Sequence, residues 1–367
     1  MLTKQTYKLT ALAIAASLVL AACGGGGGGS NASTATGASA PTAASTPTVT
    51  SGVAPQTSVA AATYAAGSFQ AAAFQLVNSY RLAMGVGELS QDPILDTSGQ
   101  PQADYLFDNI SSGAITALSH DEIAGFTGYY GDTPLSRAQK AGAPTTEWIA
   151  ENIADGHPQG SDAANAADCI GQALASVYHL SALTSNQQTV GYGYNPGTAA
   201  FPIYTCASEF GTSTGVVGAP GTNSLSYVGG QQIPTGSILH SPVTSEAGVA
   251  LTMAAESPNP APDFTAPGRP ILVRVNASNM DTLTVSQFTL TDNTGATVAA
   301  RILVPATAQA SSTATTVADP NSILPNGVAV LLPQVALKPS TTYTVTFAGA
   351  RDGSALSTKW SFTTAAS

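Results

Sequence analysis

Residues 24–67 are almost entirely Gly, Ser, Thr, Ala and Pro, with almost no charge and hardly an aromatic side chain. Such a segment cannot bury enough apolar surface to offset the entropy of ordering it, so a folded body has to be built from the residues after it. As a flexible tether it has an r.m.s. reach of roughly 30 to 40 Å. Ahead of it, Lys4 and Lys8 precede an apolar run over residues 9–22 that is interrupted only by Thr10 and Ser17. A positively charged start followed by an apolar stretch too short to span a bilayer marks a secretory signal rather than a transmembrane anchor. The chain is therefore expected to leave the cytoplasm.

The run ends in Leu20, Ala21, Ala22 and Cys23, which resembles the lipobox of bacterial lipoproteins. The resemblance implies that the Cys23 thiol is diacylated and becomes the new N-terminus, with residues 1–22 removed as the signal and 23–67 left as the tether. Two or three acyl chains on one residue give lasting attachment, since each buried methylene contributes about 0.8 kcal/mol. Gly24 rather than Asp follows the cysteine; in a Gram-negative host this implies sorting to the outer membrane. With Cys23 lipidated, two cysteines remain, Cys169 and Cys206, in an oxidising compartment. A disulfide between them is expected to contribute about 2 to 4 kcal/mol. Neither has a Cys or His neighbour at zinc-finger spacing.

Charged residues make up 9% of the chain, against roughly 25% in ordinary soluble proteins, and the balance is acidic at −10. Nucleic acid is excluded as a partner, because binding it needs clustered Lys and Arg. Solubility has to come from Ser, Thr, Asn and Gln.

From Phe74 the chain reads FQLVNSYRLAMGVGELSQDPILD, with apolar residues at helical spacing through Leu76, Val77, Tyr80 and Met84, then Gly85 and Gly87 where the helix should stop. A second block runs from Ser119 and His120 through Gly131, Arg137, Ala141 and Gly142 to Glu151, Asn152, Ile153, Ala154 and Gly156. A third carries Ser176, His179, Leu183, Gly191, Gly193, Tyr204, Phe210 and Gly211. Together with Asn78, Arg81, Gly85, Leu89, Asp92 and Leu95 of the first block, these resemble bacterial members of the CAP (cysteine-rich secretory protein, antigen 5, pathogenesis-related 1) family. The resemblance covers residues 68–211. It implies an α-β-α sandwich around a mostly antiparallel sheet, with a cleft lined by His120, Glu151 and His179. Two neutral imidazoles and a carboxylate would form a reasonable first shell for Zn²⁺ or a similar divalent ion such as Mg²⁺. Ala150 stands where the family usually has Gly, and Leu180 where it often has Arg. The family's second carboxylate has no matching position, although Asp162 and Asp168 lie in the interval. His157 matches no motif of these blocks, and His240, in a Ser/Thr/Pro-rich stretch, is expected at the surface. Ser119, Ser176 and Ser181 belong to no Gly-x-Ser-x-Gly elbow, which argues against serine hydrolysis.

Beyond Gly211 short alternating segments over residues 271–275, 288–290, 328–332, 343–347 and 359–363, rich in Val, Thr, Tyr and Phe, are separated by turns such as residues 292–295 and Asp352-Gly353. Read as period-two strands, they predict an antiparallel β-sandwich over residues 222–367, and its last part resembles the end of bacterial Ig-like domains. Residues 227–234 read as an edge strand and turn. The fold class expected for the chain is thus α+β: an α-β-α sandwich CAP domain followed by an all-β Ig-like sandwich.

The functional expectation is an extracytoplasmic module, anchored to the membrane by Cys23, whose cleft binds a lipid, glycan or protein at the cell envelope and can hold a divalent metal. The alternative is a metal-dependent hydrolase or peptidase in which His120 and His179 hold the ion and Glu151 is a ligand or general base. A family resemblance points to a cleft but not to a reaction, so binding is favoured over catalysis.

Overall fold

The computed structural model describes residues 52–277 and 281–367. The signal segment, Cys23 and the tether as far as residue 51 lie outside the described residues. Residues 52–66, which composition assigns to the tether, lie against the folded body. The Val53 amide donates to Gly230 O (2.8 Å), and the Gln232 amide donates to Val53 O (2.7 Å). Farther along, the Tyr64 hydroxyl donates to Asp96 Oδ1 (2.6 Å).

Helix α1 (Phe69–Met84) begins where the Ser68 side chain accepts the Ala71 amide, and it stops at Gly85 in the left-handed region at φ 94°. Two residues of the first sequence block staple its end. Asn78 bonds both the amide and the carbonyl of Leu89, and buried Arg81 donates to Gly87 O, Leu183 O and Gln187 Oε1. Strand β1 (Ser90–Gln91) leads into α2 (Pro93–Ser111), capped by Asp92. Helix α3 (Pro134–Ala141) opens with a capping box of Thr133 and Ser136. Strand β2 (Trp148–Gly156), α4 (Asp162–Leu174), α5 (Tyr178–Leu183), β3 (Thr189–Asn195) and β4 (Tyr204–Thr212) follow. The first sheet has the order β1-β3-β4-β2, with β1 parallel to β3 and the other pairs antiparallel. Phe69, Ala73 and Val77 of α1 and Ile170 of α4 pack with Tyr192, Tyr204 and Phe210, while α2 lies against β3 and β4. The glycines of β3 permit that approach: a Cβ on Gly193 would sit 1.9 Å from Gly99 O, and one on Gly191 2.2 Å from the Asp96 amide nitrogen.

The rest of the chain adds β5 (Ile238–Ser241), β6 (Ile271–Val275), β7 (Leu283–Thr291), β8 (Ala300–Val304), α6 (Ala306–Gln309), β9 (Thr316–Ala318), β10 (Val328–Pro333), β11 (Thr342–Arg351) and β12 (Ser354–Thr363). They form a five-stranded sheet, β5-β6-β10-β8-β9, and a three-stranded sheet, β12-β11-β7. Residues 227–234 do not form the expected edge strand; they contribute one bridge, Gln231 to Val53.

The expectation of an α+β chain, an α-β-α sandwich CAP domain followed by an Ig-like sandwich, is overturned. Among the described residues the chain is mostly β, with twelve strands in three sheets against six helices, two of them of six residues or fewer. The physical reason lies in what the five-stranded sheet buries. Ile271, Val273, Val275, Ala329 and Leu331 face the three-stranded sheet with Phe288, Phe347 and Trp360. The alternate residues Leu272, Val328, Val330 and Leu332 pack with Met84, Val86, Val177, Tyr178 and Leu180 from the helical part. A strand buried on both faces reads as a near-continuous apolar run: Val328–Pro333 is wholly apolar, Ile271–Val275 is apolar but for Arg274, and every residue in both is buried. The second half is therefore fused to the first through a common core, and residues 49–367 form one compact unit. Among the described residues no helix is long and apolar enough to cross a membrane.

The Cys169–Cys206 disulfide is present and ties α4 to β4 across 37 residues of chain. Replacing both cysteines by Ala is expected to lower unfolding stability by about 2 to 4 kcal/mol, read from urea denaturation of the two proteins without reductant. Equal midpoints would show that the bridge adds nothing to the fold.

Candidate functional site

Three segments far apart in sequence converge beside β2. The loop after α2 carries His120, β2 carries Glu151 and Asn152, and α5 carries His179. A fourth, the irregular segment between β5 and β6, carries Glu256. They surround a cavity of about 670 Å³ and an adjoining one of about 460 Å³. His120, Asn152, His179, Glu256 and Ser257 line both, so the two are continuous compartments of one cleft. The larger has an apolar wall of Leu118, Ile153, Ile170 and Ala173.

The three residues singled out from sequence all line the smaller compartment. His120 Nδ1 lies 2.7 Å from Glu151 Oε1. An ionised carboxylate can only accept, so the ring donates from Nδ1, which leaves Nε2 as the ring nitrogen facing the cleft. Glu151 Oε2 accepts from Arg137 Nη2 at 2.7 Å, and Arg137 Nη1 donates to His120 O at 2.9 Å. One guanidinium thus fixes the carboxylate that orients His120 and the backbone that carries it.

Two further glutamates share this buried position. Glu122 Oε1 is 3.7 Å and Glu209 Oε1 4.0 Å from Arg137, and Glu209 stands directly opposite Glu151 in the β2–β4 register. Three carboxylates about one cation cannot all ionise at low dielectric cost. Burial disfavours the charged form of Glu151, but Arg137 and the His120 hydrogen bond outweigh it and hold its carboxyl below the usual range. Burial, reinforced by the charge of Glu151, pushes Glu209 well above that range. Burial likewise raises Glu122, against the amides of Tyr130 and Gly131 that donate to it.

His179 occupies a different setting. Its Nδ1 is 3.3 Å from Ser176 Oγ and 3.6 Å from Glu256 Oε2. Glu256 accepts the Val177 amide at 2.6 Å and the Tyr178 amide at 2.9 Å, so it caps the start of α5 from a remote loop. Burial, with a smaller contribution from the charge of His120, lowers His179 to about 4, and burial raises Glu256 to about 7. At neutral pH the two meet as a neutral ring and a half-titrated acid, not as a fixed ion pair.

The expected metal shell does not fit this geometry. Both oxygens of Glu151 are committed, one to His120 and one to Arg137, and His120 and His179 alone make two ligands where a zinc site needs at least three from the protein. Among the described residues no group of three or more His, Cys, Asp or Glu side chains is arranged to hold a metal ion. Asp162 and Asp168 are engaged elsewhere: they accept the hydroxyls of Tyr194 and Tyr204. Ser176 Oγ donates to Gln172 O, and Ser181 Oγ accepts from Arg274. His157 is exposed, whereas His240 is not the surface residue expected: it stacks on Trp360 with ring centroids 3.9 Å apart.

Sequence reasoning missed Arg137 as the centre of the site, along with Glu122, Glu209 and Glu256. The available signal was scarcity. Where only 9% of residues are charged, each acidic or basic side chain in an otherwise apolar or Pro-rich context is a candidate buried group.

No family model matches the chain, and no curated protein does. Among solved structures, an outer surface protein from Borrelia burgdorferi is similar over 38% of this chain and 87% of its own, at 17% identity and a TM-score of 0.27.

Two outcomes follow from these charges. Arg137→Met should cost about 3 to 5 kcal/mol, because it strands a buried anion, whereas Glu209→Gln, which replaces a carboxyl whose charged form is disfavoured by an amide of equal shape, should stay within about 1 kcal/mol; denaturation curves decide. The second concerns pH. Between about 4.5 and 6.5 the folded state keeps the Glu256 proton that the unfolded state has lost, so Glu256 makes stability fall as pH rises. His179, whose folded value is depressed, does the opposite, because stability is lost as pH falls from 6.5 toward 4. Glu256→Gln should therefore shift the slope of stability against pH in this window by about +1.4 kcal/mol per pH unit and His179→Gln by about −1.4. Parallel pH profiles for both variants and the parent would refute the assignment.

Proposed function

We propose that this chain is an exported, membrane-anchored protein whose working part is the two-compartment cleft around His120 and His179, and that the cleft binds a ligand at the cell envelope. The export signal and the lipobox-like run ending in Cys23 support the location, as does the Cys169–Cys206 disulfide, since disulfides persist in oxidising compartments. The observation that carries the binding reading is the cleft itself. It is a cavity of about 670 Å³ with an apolar wall on one side and a small set of fixed polar groups on the other, which is the usual composition of a small-molecule site. The sequence blocks that resemble the CAP family contribute His120, Glu151 and His179 to it. His120 is held by Glu151 and Arg137 before any ligand arrives, so little ordering cost remains for binding. The metal-dependent hydrolase finds no support in the arrangement of Glu151, whose oxygens are occupied.

Nile red, a neutral apolar dye, tests this reading on the full-length chain. Saturable fluorescence enhancement is expected. Ala117→Trp and Ala255→Trp, exposed positions on the wall of the larger compartment, should each weaken it about ten-fold by filling the space. Absence of saturable binding, or binding indifferent to both substitutions, would contradict the proposal.

A further inference from the structure

The side chains lining the cleft have one sign of charge. Asp121, Asp155 and Glu256 line the larger compartment and Glu151 and Glu256 the smaller, and neither compartment is lined by a Lys or an Arg. Glu151 is neutralised by Arg137 behind it. Asp121, Asp155 and Glu256 form no ion pair with Lys or Arg among the described residues. Asp155 is the most exacting of them. It is half-buried at the end of β2. Asp168, which does not line the cleft, is satisfied by Tyr204 and Gln172, whereas Asp155 in the cavity wall is open to an incoming cation. A partly desolvated carboxylate in a cavity wall attracts a cation more strongly than one in bulk water, because the local dielectric is lower.

The cavity is the site, and the carboxylates set the sign of what it accepts. Anionic headgroups would meet uncompensated like charge and no Lys or Arg. A purely apolar ligand would leave the half-buried carboxylate of Asp155 with no partner beyond its own backbone amide. Resting on the binding reading above, we infer that the cleft takes an amphiphile with a positively charged nitrogen, its apolar body against Leu118, Ile153 and Ile170 and its ammonium facing Asp155, with Glu256 adding to the field.

Calorimetric titration of the full-length chain with decylamine, decanol and decanoate at pH 7 and low salt tests this, because the three share a tail and differ in head. Decylamine is expected to bind at least ten-fold more tightly than decanoate, with decanol between. Asp155→Asn should reduce the preference of amine over alcohol to within about three-fold; Glu256→Gln should reduce it in part. Equal binding of amine and decanoate, or an amine preference that survives Asp155→Asn intact, overturns the inference and leaves the cleft as a binding site. Binding of none of the three overturns the binding reading and the inference with it.

Discussion

The guanidinium of Arg137 is the contact on which the cleft depends. It is fully buried, and a buried cation is tolerable only when its charge and its N–H groups are met. Here it meets Glu151 on β2, the carbonyl of His120 and, farther off, Glu122 and Glu209. Those partners come from the loop between α2 and α3 and from two antiparallel strands, so the ion cluster locks their relative positions. The direction of His120 into the cavity follows from it: with Nδ1 given to Glu151, Nε2 remains for whatever enters.

The other half of the site is placed by packing. Because β6 and β10 bury both faces, the sheet they belong to cannot move as a separate body without uncovering Leu272, Val328 and Val330 and their partners Val177, Tyr178 and Leu180. The polar contacts across the same boundary point the same way. Asp319 Oδ1 accepts the Tyr178 hydroxyl at 2.5 Å, buried Arg274 donates to Ser181 O, and the Ala254 amide donates to Ala175 O. This clamp delivers Glu256 to the start of α5, so the second half of the chain supplies a wall of the cleft and does not merely carry or display it.

Parts of this were legible in the sequence, for reasons that can be named. The end of α1 followed from helical spacing and from Gly85 and Gly87, both of which take a left-handed backbone. The two histidines and Glu151 were found because they sit in ordered sequence blocks, and each lines the cleft. The fold class was not legible. Val328–Pro333 is a continuous apolar run and Ile271–Val275 is one interrupted by Arg274 alone, but counting them as alternating strands assigned them one buried face and a free-standing sandwich. Their composition already implied cover on both sides. Nor could the sequence reveal that the oxygens of Glu151 are taken, since that depends on Arg137 lying behind it, or that Glu256 reaches α5 from a segment 77 residues beyond His179. Motif positions report which residues gather; which of their atoms remain free is decided by tertiary partners.

If one cleft, walled by both halves of the chain, is where this protein meets its ligand, the most direct test is to follow backbone amide chemical shifts during titration with decylamine. Perturbations should concentrate at residues 118–121, 152–155, 170–179 and 255–257, with the last group moving together with the others. Perturbations confined to the three-stranded sheet, or changes around His120 with none at 255–257, would contradict a cleft shared by the two halves.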